Sequence, residues 1–231
     1  MSLIKYDLVS RTSSFVPASV MNSGNYVVFN GKTDGNVVIG PALGYSYFSD
    51  TRDHWASANI NNLAGKLIID GRQGNKFEPN SNITRAEFAV FIAKGLGLAP
   101  DQASASRFPD VPTGTTGAYI GAAAKAGIIA GNMDGTFKPN SYITREQMAL
   151  MMVRAMAYAG QDISPNALSS AQTLSRFKDN AKIQSKDNVA KAVQEGIIQG
   201  VSFDTFQPQG NATRAQAAVM LKRVLEKLNY I

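Results

Sequence analysis

The chain has 231 residues, of which 44% are apolar, which is enough for one domain of that size or for two small ones. It contains no cysteine, which excludes disulfides, thiolate metal sites and cysteine nucleophiles, and its single histidine argues against histidine-based catalysis or a multi-histidine zinc site. The net charge of +6 favours an acidic partner such as a nucleic acid, a membrane surface or an anionic polysaccharide.

The first 45 residues differ from the rest of the chain. Two β-rich runs, 26–29 and 37–39, flank the turn dipeptide Asn30-Gly31, and this pattern predicts a β-hairpin or the last strands of an upstream domain. The start of the chain lacks the charged and apolar regions of a signal peptide, and no apolar run approaches the roughly 18 residues of a membrane helix. If the parent protein is exported, we expect this chain to be an internal or C-terminal part of it.

From Phe48 onward one pattern occurs three times, and the number of residues from its first phenylalanine to its last arginine is the same in every copy. Each copy has an F-x-D opening, an I-I-x-G centre and a Thr-Arg pair at its end. The openings are Phe48-Ser49-Asp50, Phe108-Pro109-Asp110 and Phe177-Lys178-Asp179, the central glycines are Gly71, Gly131 and Gly200, and the closing pairs are Thr84-Arg85, Thr144-Arg145 and Thr213-Arg214. A phased repeat predicts one supersecondary unit per copy, packed against its neighbours.

The first part of each copy predicts an Ala-rich helix. The expected bounds are about 56–67, 118–127 and 187–196. Gly127 and Gly196 stand where a left-handed C-cap is expected, whereas the first copy has Leu67 there. Because leucine adopts a positive φ only at a cost, we expect the first of these helices to end differently, at about Gly65.

A second helix begins at the threonine of each copy. Three residues after it, at the spacing of a capping box, stand Glu87, Gln147 and Gln216. The apolar residues downstream recur at helical spacing, and in the second copy they include Met148, Met151 and Met152. This spacing favours core packing over an adaptable binding surface, so the three helices predict a central bundle.

These motifs resemble the surface-layer-homology family. The helix starts that carry the resemblance are Ile83-Thr84-Arg85-Ala86-Glu87, Ile143-Thr144-Arg145-Glu146-Gln147 and Ala212-Thr213-Arg214-Ala215-Gln216. The resemblance implies a mainly α-helical, pseudo-threefold, three-pronged module around a central three-helix bundle, with a short N-terminal β segment. The expected domains are 1–45 for that segment and 46–100, 106–160 and 175–231 for the repeats.

The resemblance also implies a non-catalytic, extracellular module that anchors an exported protein to the Gram-positive cell wall or S-layer. Its partner would be an anionic secondary cell-wall polymer attached to peptidoglycan, commonly a glycan bearing pyruvate ketals, held in grooves between repeats. Upstream domains of the same parent chain are expected, but no cofactor, metal, nucleic acid or membrane. One alternative is a fragment of a glycan hydrolase, but that activity needs a unique pair of carboxylates, which the repeating acidic residues do not supply. The other alternative is a nucleic-acid-binding protein, a hypothesis supported by the net charge alone.

The arginine after each threonine is the main candidate for ligand binding. A cation in the first helical turn opposes the macrodipole, so Arg85, Arg145 and Arg214 are expected to meet a negative group there. One hypothesis is a carboxylate of the glycan, bound by the guanidinium and by free N–H groups of the helix N-terminus beside Thr84, Thr144 and Thr213. The other is structural, with each arginine paired to an aspartate of the repeat, Asp50, Asp110 or Asp179.

Two further sets of candidates complete the predicted site. The central glycines, Gly71, Gly131 and Gly200, fit either a tight turn after a buried Ile-Ile pair or a close approach of the sugar to the backbone. Trp55 and Tyr119 offer flat faces for sugar stacking, or else pack in the core. Since Leu67 and the loop 201–205 make the copies unequal, we expect Arg145, in the copy nearest the family pattern, to contribute most to affinity.

Overall fold

The computed structural model describes residues 2–21, 26–29, 36–42, 44, 46–161 and 169–231. Most of the regular structure in these ranges is helical, and short strands occupy the N-terminal segment. None of the described helices has the length and apolar composition needed to cross a membrane. The predicted architecture, a mainly α-helical module preceded by a short β segment, is confirmed.

The N-terminal strands form two small antiparallel sheets. The strands are β1 (Ser2–Asp7), β2 (Thr12–Val16), β3 (Ala18–Met21), β4 (Tyr26–Phe29) and β5 (Val37–Ala42). β1 pairs with β2 and β5, and β3 pairs with β4. The predicted hairpin between 26–29 and 37–39 is therefore wrong, because each run pairs with an earlier strand, and its turn, Asn30-Gly31, lies outside the described residues.

Each repeat contributes a first and a second helix. In chain order the helices are α1 (Ser57–Gly65), α2 (Arg85–Gly95), α3 (Gln102–Ala105), α4 (Thr115–Lys125), α5 (Arg145–Tyr158), α6 (Ser170–Leu174), α7 (Lys186–Gln194) and α8 (Arg214–Lys227). The first helices are α1, α4 and α7, and the short α3 and α6 precede the second and third repeats. The second helices, α2, α5 and α8, contact one another and form the predicted central bundle.

The bundle core is apolar and closely packed. Met148, Met151 and Met152 of α5 are each at most 5% exposed, so their assignment to the core is confirmed. Within each repeat the phenylalanine of the F-x-D opening packs on the phenylalanine of the loop before the second helix. The pairs are Phe48 with Phe77, Phe108 with Phe137 and Phe177 with Phe206, with ring centroids 5.4, 5.6 and 5.5 Å apart.

The first helix of the first repeat ends at Gly65, as expected, but its end does not differ from those of the other two first helices, contrary to our expectation. Leu67 has a φ of 61°, beside 72° at Gly127 and 65° at Gly196. The next residue, Ile68, is fully buried and donates its N–H to the carbonyl of Leu63 at 3.0 Å, as in a Schellman motif. Burial of Ile68 fixes the path of the chain, so Leu67 accepts a conformation that costs roughly 1–2 kcal/mol for a non-glycine residue.

Replacing Gly127 by alanine is expected to lower the free energy of unfolding by about 1 kcal/mol and the melting temperature by about 2–4 °C. No atom lies within 4 Å of the added Cβ, so the cost comes from the positive φ alone. Thermal unfolding followed by circular dichroism measures it. Gly127→Asn is the control, since asparagine tolerates this conformation better, and an equal loss for both variants would contradict the explanation.

Backbone hydrogen bonds close the three repeats into a ring. Ile83 donates its N–H to the carbonyl of Ala212, Ala212 donates to Ile143, and Ile143 donates to Ile83, at 3.0, 3.0 and 3.1 Å. We call the contact between the start of one repeat's second helix and the loop of the next repeat a junction. The junctions are 1/2, 2/3 and 3/1, and the last joins the third repeat back to the first.

Candidate functional site

Three aspartates hold the loops that form the junctions. Each accepts the backbone N–H groups of two consecutive residues of its own repeat, at 2.7–2.9 Å. The sets are Asp50 with Phe77 and Glu78, Asp110 with Phe137 and Lys138, and Asp179 with Phe206 and Gln207. Glu78, Lys138 and Gln207 all have a left-handed φ of 56–57°. The carboxylate hydrogen bonds offset the strain of these non-glycine residues.

The pKa of Asp50 reflects this arrangement. Burial by itself would raise the pKa of the carboxyl group, but the N–H groups of Phe77 and Glu78 outweigh burial and hold the pKa below its ordinary value. The ionised carboxylate of Asp50 therefore stabilises the backbone of its loop by accepting these two N–H groups.

Each predicted arginine contacts the next repeat around the ring. Nε of Arg85, Arg145 and Arg214 donates to the loop carbonyl of Phe137, Phe206 and Phe77, respectively, at 2.9, 2.8 and 2.7 Å. Each guanidinium also lies 4.4–5.1 Å from the ring centroid of the same phenylalanine.

The predicted ion pairs between these arginines and Asp50, Asp110 or Asp179 do not form. Both oxygens of each aspartate are already engaged by backbone N–H groups, and the arginine binds the carbonyl of the loop that the aspartate holds. The structural hypothesis therefore named the right residues, an arginine and an aspartate at each junction. The two bind the same loop, and they do not form an ion pair with each other.

The N-termini of α2, α5 and α8 have no free N–H groups for an anion, so that part of the ligand hypothesis is wrong. In α2 the N–H groups of Arg85 and Ala86 donate to the carbonyls of Ser141 and Pro139 in the next repeat. The remaining two are satisfied by the capping box, in which Thr84 Oγ1 accepts from Glu87 N and the Glu87 carboxylate accepts from Thr84 N. The same pattern recurs in α5 and α8 at Thr144 and Thr213.

The three arginines differ in how much of the guanidinium is available. Arg145 is 5% exposed and Arg214 1%, whereas Arg85 is half-buried. Nη2 of Arg145 and Arg214 binds a carbonyl oxygen, of Gln199 at 2.5 Å and of Asp70 at 2.7 Å. Nη2 of Arg85 reaches the carbonyl of Ala130 only at 3.5 Å, so Arg85 has the most freedom to bind a further group.

Junction 3/1 contains a charge network. Glu87 accepts from Arg72 through both carboxylate oxygens at 3.0 Å and from Arg214 Nη1 at 2.7 Å, and Arg72 also pairs with Glu78 at 2.5 Å. Burial would raise the pKa of Glu87, but the hydrogen bond from Arg72 and the charges around it lower the pKa overall. Sequence reasoning identified Glu87 only as a capping residue and missed Arg72, because Arg72 recurs in no other repeat.

The central glycines are required by packing. None of Gly71, Gly131 and Gly200 has a left-handed φ. A Cβ on Gly71 would lie 2.5 Å from Phe48 Cε1 and 2.8 Å from the carbonyl of Lys76, and the other two glycines meet the equivalent phenylalanine at 2.7 and 2.8 Å. The glycine thus lets the ring of the F-x-D phenylalanine pack against the loop, a reason that neither sequence hypothesis gave.

The two predicted aromatic candidates differ in exposure. Trp55 is 65% exposed and lies beside His54, so its face is open to a sugar. Tyr119 is only 9% exposed and packs under Lys94, so it cannot stack on a ligand.

A third aromatic, Tyr142, was missed. It is 54% exposed, and its backbone pairs with that of Thr84, the residue before Arg85, at junction 1/2. The other repeats have Asn82 and Asn211 at this position, and this difference between the repeats could have pointed to Tyr142 in the sequence.

Comparison with known proteins agrees with the repeat structure. A family model described as the S-layer homology domain matches residues 47–89, 107–149 and 176–218. The chain is 37% identical over 185 residues to an amylopullulanase of Thermoanaerobacterium thermosulfurigenes, covering 78% of this chain and 10% of that protein. It is 32% identical over 183 residues to an S-layer protein of Bacillus thuringiensis subsp. finitimus, covering 79% and 21%.

A cellulosome-anchoring protein of Acetivibrio thermocellus is 29% identical over 164 residues, covering 69% of this chain and 36% of that protein. The chain therefore spans only a small part of each of these relatives.

Proposed function

Because the chain belongs to the S-layer homology family and forms a cell-surface anchoring module, outside the cell at the cell wall or S-layer, we propose that its inter-repeat junctions bind an anionic secondary cell-wall polymer. A glycan that carries pyruvate ketals fits this proposal, because each ketal presents one carboxylate on a sugar. The net charge of +6 supports an acidic partner.

One observation carries the proposal: junction 1/2 contains both a cation with unused donors, Arg85, and an exposed aromatic residue, Tyr142, whose backbone pairs with the residue before Arg85. Arg85 is fixed through Nε by the carbonyl of Phe137, and its terminal nitrogens have room to donate to a carboxylate. Tyr142, across the junction from Thr84, offers an apolar face and a hydroxyl group. Together these groups suit an acidic sugar better than a neutral one.

The proposed role of this segment is binding without catalysis. Hydrolysis of a glycosidic bond needs two carboxyl groups about 5–9.5 Å apart, one of them able to act as an acid. The repeated aspartates, Asp50, Asp110 and Asp179, instead bind backbone N–H groups of the loops. We propose that any catalytic activity of the parent protein resides in domains outside the repeats; two relatives, of which this chain covers 10% and 16%, are named as an amylopullulanase and an exoglucanase.

The protein is expected to sediment with cell-wall sacculi that carry their secondary polymer and to stay in solution with sacculi stripped of it by acid. The anionic polymer, and not the peptidoglycan, supplies the carboxylates for Arg85. Co-sedimentation followed by gel quantification measures the bound fraction. Double-stranded DNA in a parallel binding assay tests the nucleic-acid alternative at the same ionic strength.

The matched control is Tyr142→Asn, since asparagine is the residue that the first and third repeats carry at this position. This variant should bind polymer-bearing sacculi more weakly while its melting temperature stays unchanged. Equal sedimentation of the wild type with intact and stripped sacculi would contradict the proposal.

A further inference from the structure

The residue three positions after each threonine differs in charge among the repeats. It is Glu87 in the first repeat, Gln147 in the second and Gln216 in the third. All three complete a capping box, so an amide can take the place of a carboxylate there. The negative charge of Glu87 is therefore not required for capping.

That charge is used at junction 3/1. The Glu87 carboxylate binds both Arg72 and Arg214, the second at 2.7 Å on the terminal nitrogen Nη1. Glu78 binds the other side of Arg72. Two arginines and two glutamates thus neutralise each other, and the donor with which Arg214 could bind an external carboxylate is already taken.

The other junctions have different charges. At junction 1/2 the position of Glu87 is Gln147 and the position of Arg72 is Asn132, so Arg85 has no ion-pair partner among the described residues. At junction 2/3 Glu146 is 5% exposed, and its carboxylate accepts from the Gln209 side chain and from the N–H of Ser185. Arg145 is also 5% exposed.

We infer that Glu87 is a built-in anion that excludes the carboxylate of the polymer from junction 3/1. At junction 2/3 Arg145 is buried and its Nε and Nη2 already bind carbonyls, which leaves junction 1/2 for the anionic ligand. This inference rests on the function proposed above. A ligand carboxylate at Arg214 would have to share a poorly solvated site with Glu87, and two carboxylates in such a site repel each other strongly. At Arg85 the neighbouring amide of Gln147 offers no such repulsion.

The test exchanges the two side chains between equivalent positions, with Glu87→Gln and Gln147→Glu. Either residue forms the capping box in this fold, so both variants keep the helix start. The probe is a methyl hexopyranoside bearing one pyruvate ketal, titrated into the full chain. Arginine Nε–H resonances are followed by NMR, because Arg85, Arg145 and Arg214 each donate this N–H to a loop carbonyl.

In the wild type, the Arg85 resonance should shift on titration and the Arg214 resonance should not. Glu87→Gln should make the Arg214 resonance respond and raise the binding stoichiometry. Gln147→Glu should weaken binding at Arg85 at least tenfold, because the new carboxylate repels the ligand carboxylate and competes with it for Arg85.

Each contrary result has a distinct meaning. A wild-type shift at Arg214, or no gain in Glu87→Gln together with no loss in Gln147→Glu, would overturn the exclusion by Glu87 while leaving polymer binding intact. Absence of binding at all three arginines in all three proteins would overturn the proposed function and this inference with it. If Glu87→Gln unfolds, Gln147→Glu alone decides, because it adds a carboxylate beside an unpaired arginine.

Discussion

Replacing Arg214 by alanine is expected to lower the free energy of unfolding by about 3–5 kcal/mol. Its side chain is 2% exposed and donates to the carbonyls of Phe77 and Asp70 and to the carboxylate of Glu87. The substitution leaves two carbonyls without this donor and Glu87 without one of its cations. Urea unfolding followed by circular dichroism and tryptophan fluorescence measures the loss.

Arg85→Ala is the matched control, because the two arginines occupy equivalent positions. Arg85 is half-buried, has one good hydrogen bond to a loop carbonyl and no ion pair among the described residues, so we expect a loss of only about 1–2 kcal/mol. The affinity of the Arg85→Ala variant for the polymer should nevertheless be at least tenfold lower than that of the wild type. If both variants lose the same stability, the difference in burial does not determine the role of the arginine.

We propose a different order of the arginines in binding from the one that the sequence predicts. From sequence, Arg145 was predicted to contribute most to affinity, because its repeat lies nearest the family pattern. In the structure both Nε and Nη2 of Arg145 bind loop carbonyls, which favours Arg85 as the ligand contact.

Removing the third repeat, so that the chain ends at Gln161, is expected to abolish cooperative thermal unfolding. Two of the three ring hydrogen bonds involve Ala212, and Arg145 loses its acceptors on Phe206 and Gln199. The apolar faces of α2 and α5 lose α8, whose residues are buried in the same core. Repeats of this kind need about three copies to bury a continuous core, so the two remaining repeats should be partly unfolded.

Circular dichroism melting and amide hydrogen exchange of the shortened chain measure this effect. Addition of residues 169–231 as a separate fragment should restore the melt in a concentration-dependent way, since the missing contacts are non-covalent. A shortened chain that melts as sharply and as hot as the full chain would show that the repeats fold independently.

Features that depend on local sequence were predictable. The capping boxes at Thr84, Thr144 and Thr213 follow from a spacing of three residues, and the buried methionines follow from helical periodicity. Both are properties of one helix and its own turns.

Features that depend on which repeat contacts which were not predictable. A repeated arginine and a repeated aspartate indicate that each junction uses the same contacts. They do not indicate that Arg85 binds the carbonyl of Phe137 and makes no ion pair with Asp110. Leu67 was misjudged for a similar reason, because burial of Ile68 outweighed the backbone preference of leucine. Strand pairing in the N-terminal segment likewise depends on residues far apart in sequence.

The ring also has a consequence for chain entropy. The arginine of junction 1/2 lies 52 residues from the carbonyl that it binds, whereas the arginine of junction 3/1 lies 137 residues from its carbonyl. Closing the longer loop in an unfolded chain costs about 0.9 kcal/mol more, since the cost grows with the logarithm of loop length. One charge-assisted hydrogen bond contributes about 1.5–3 kcal/mol. The contact of Glu87 with Arg214 is therefore enough to offset the greater separation of the first and last repeats.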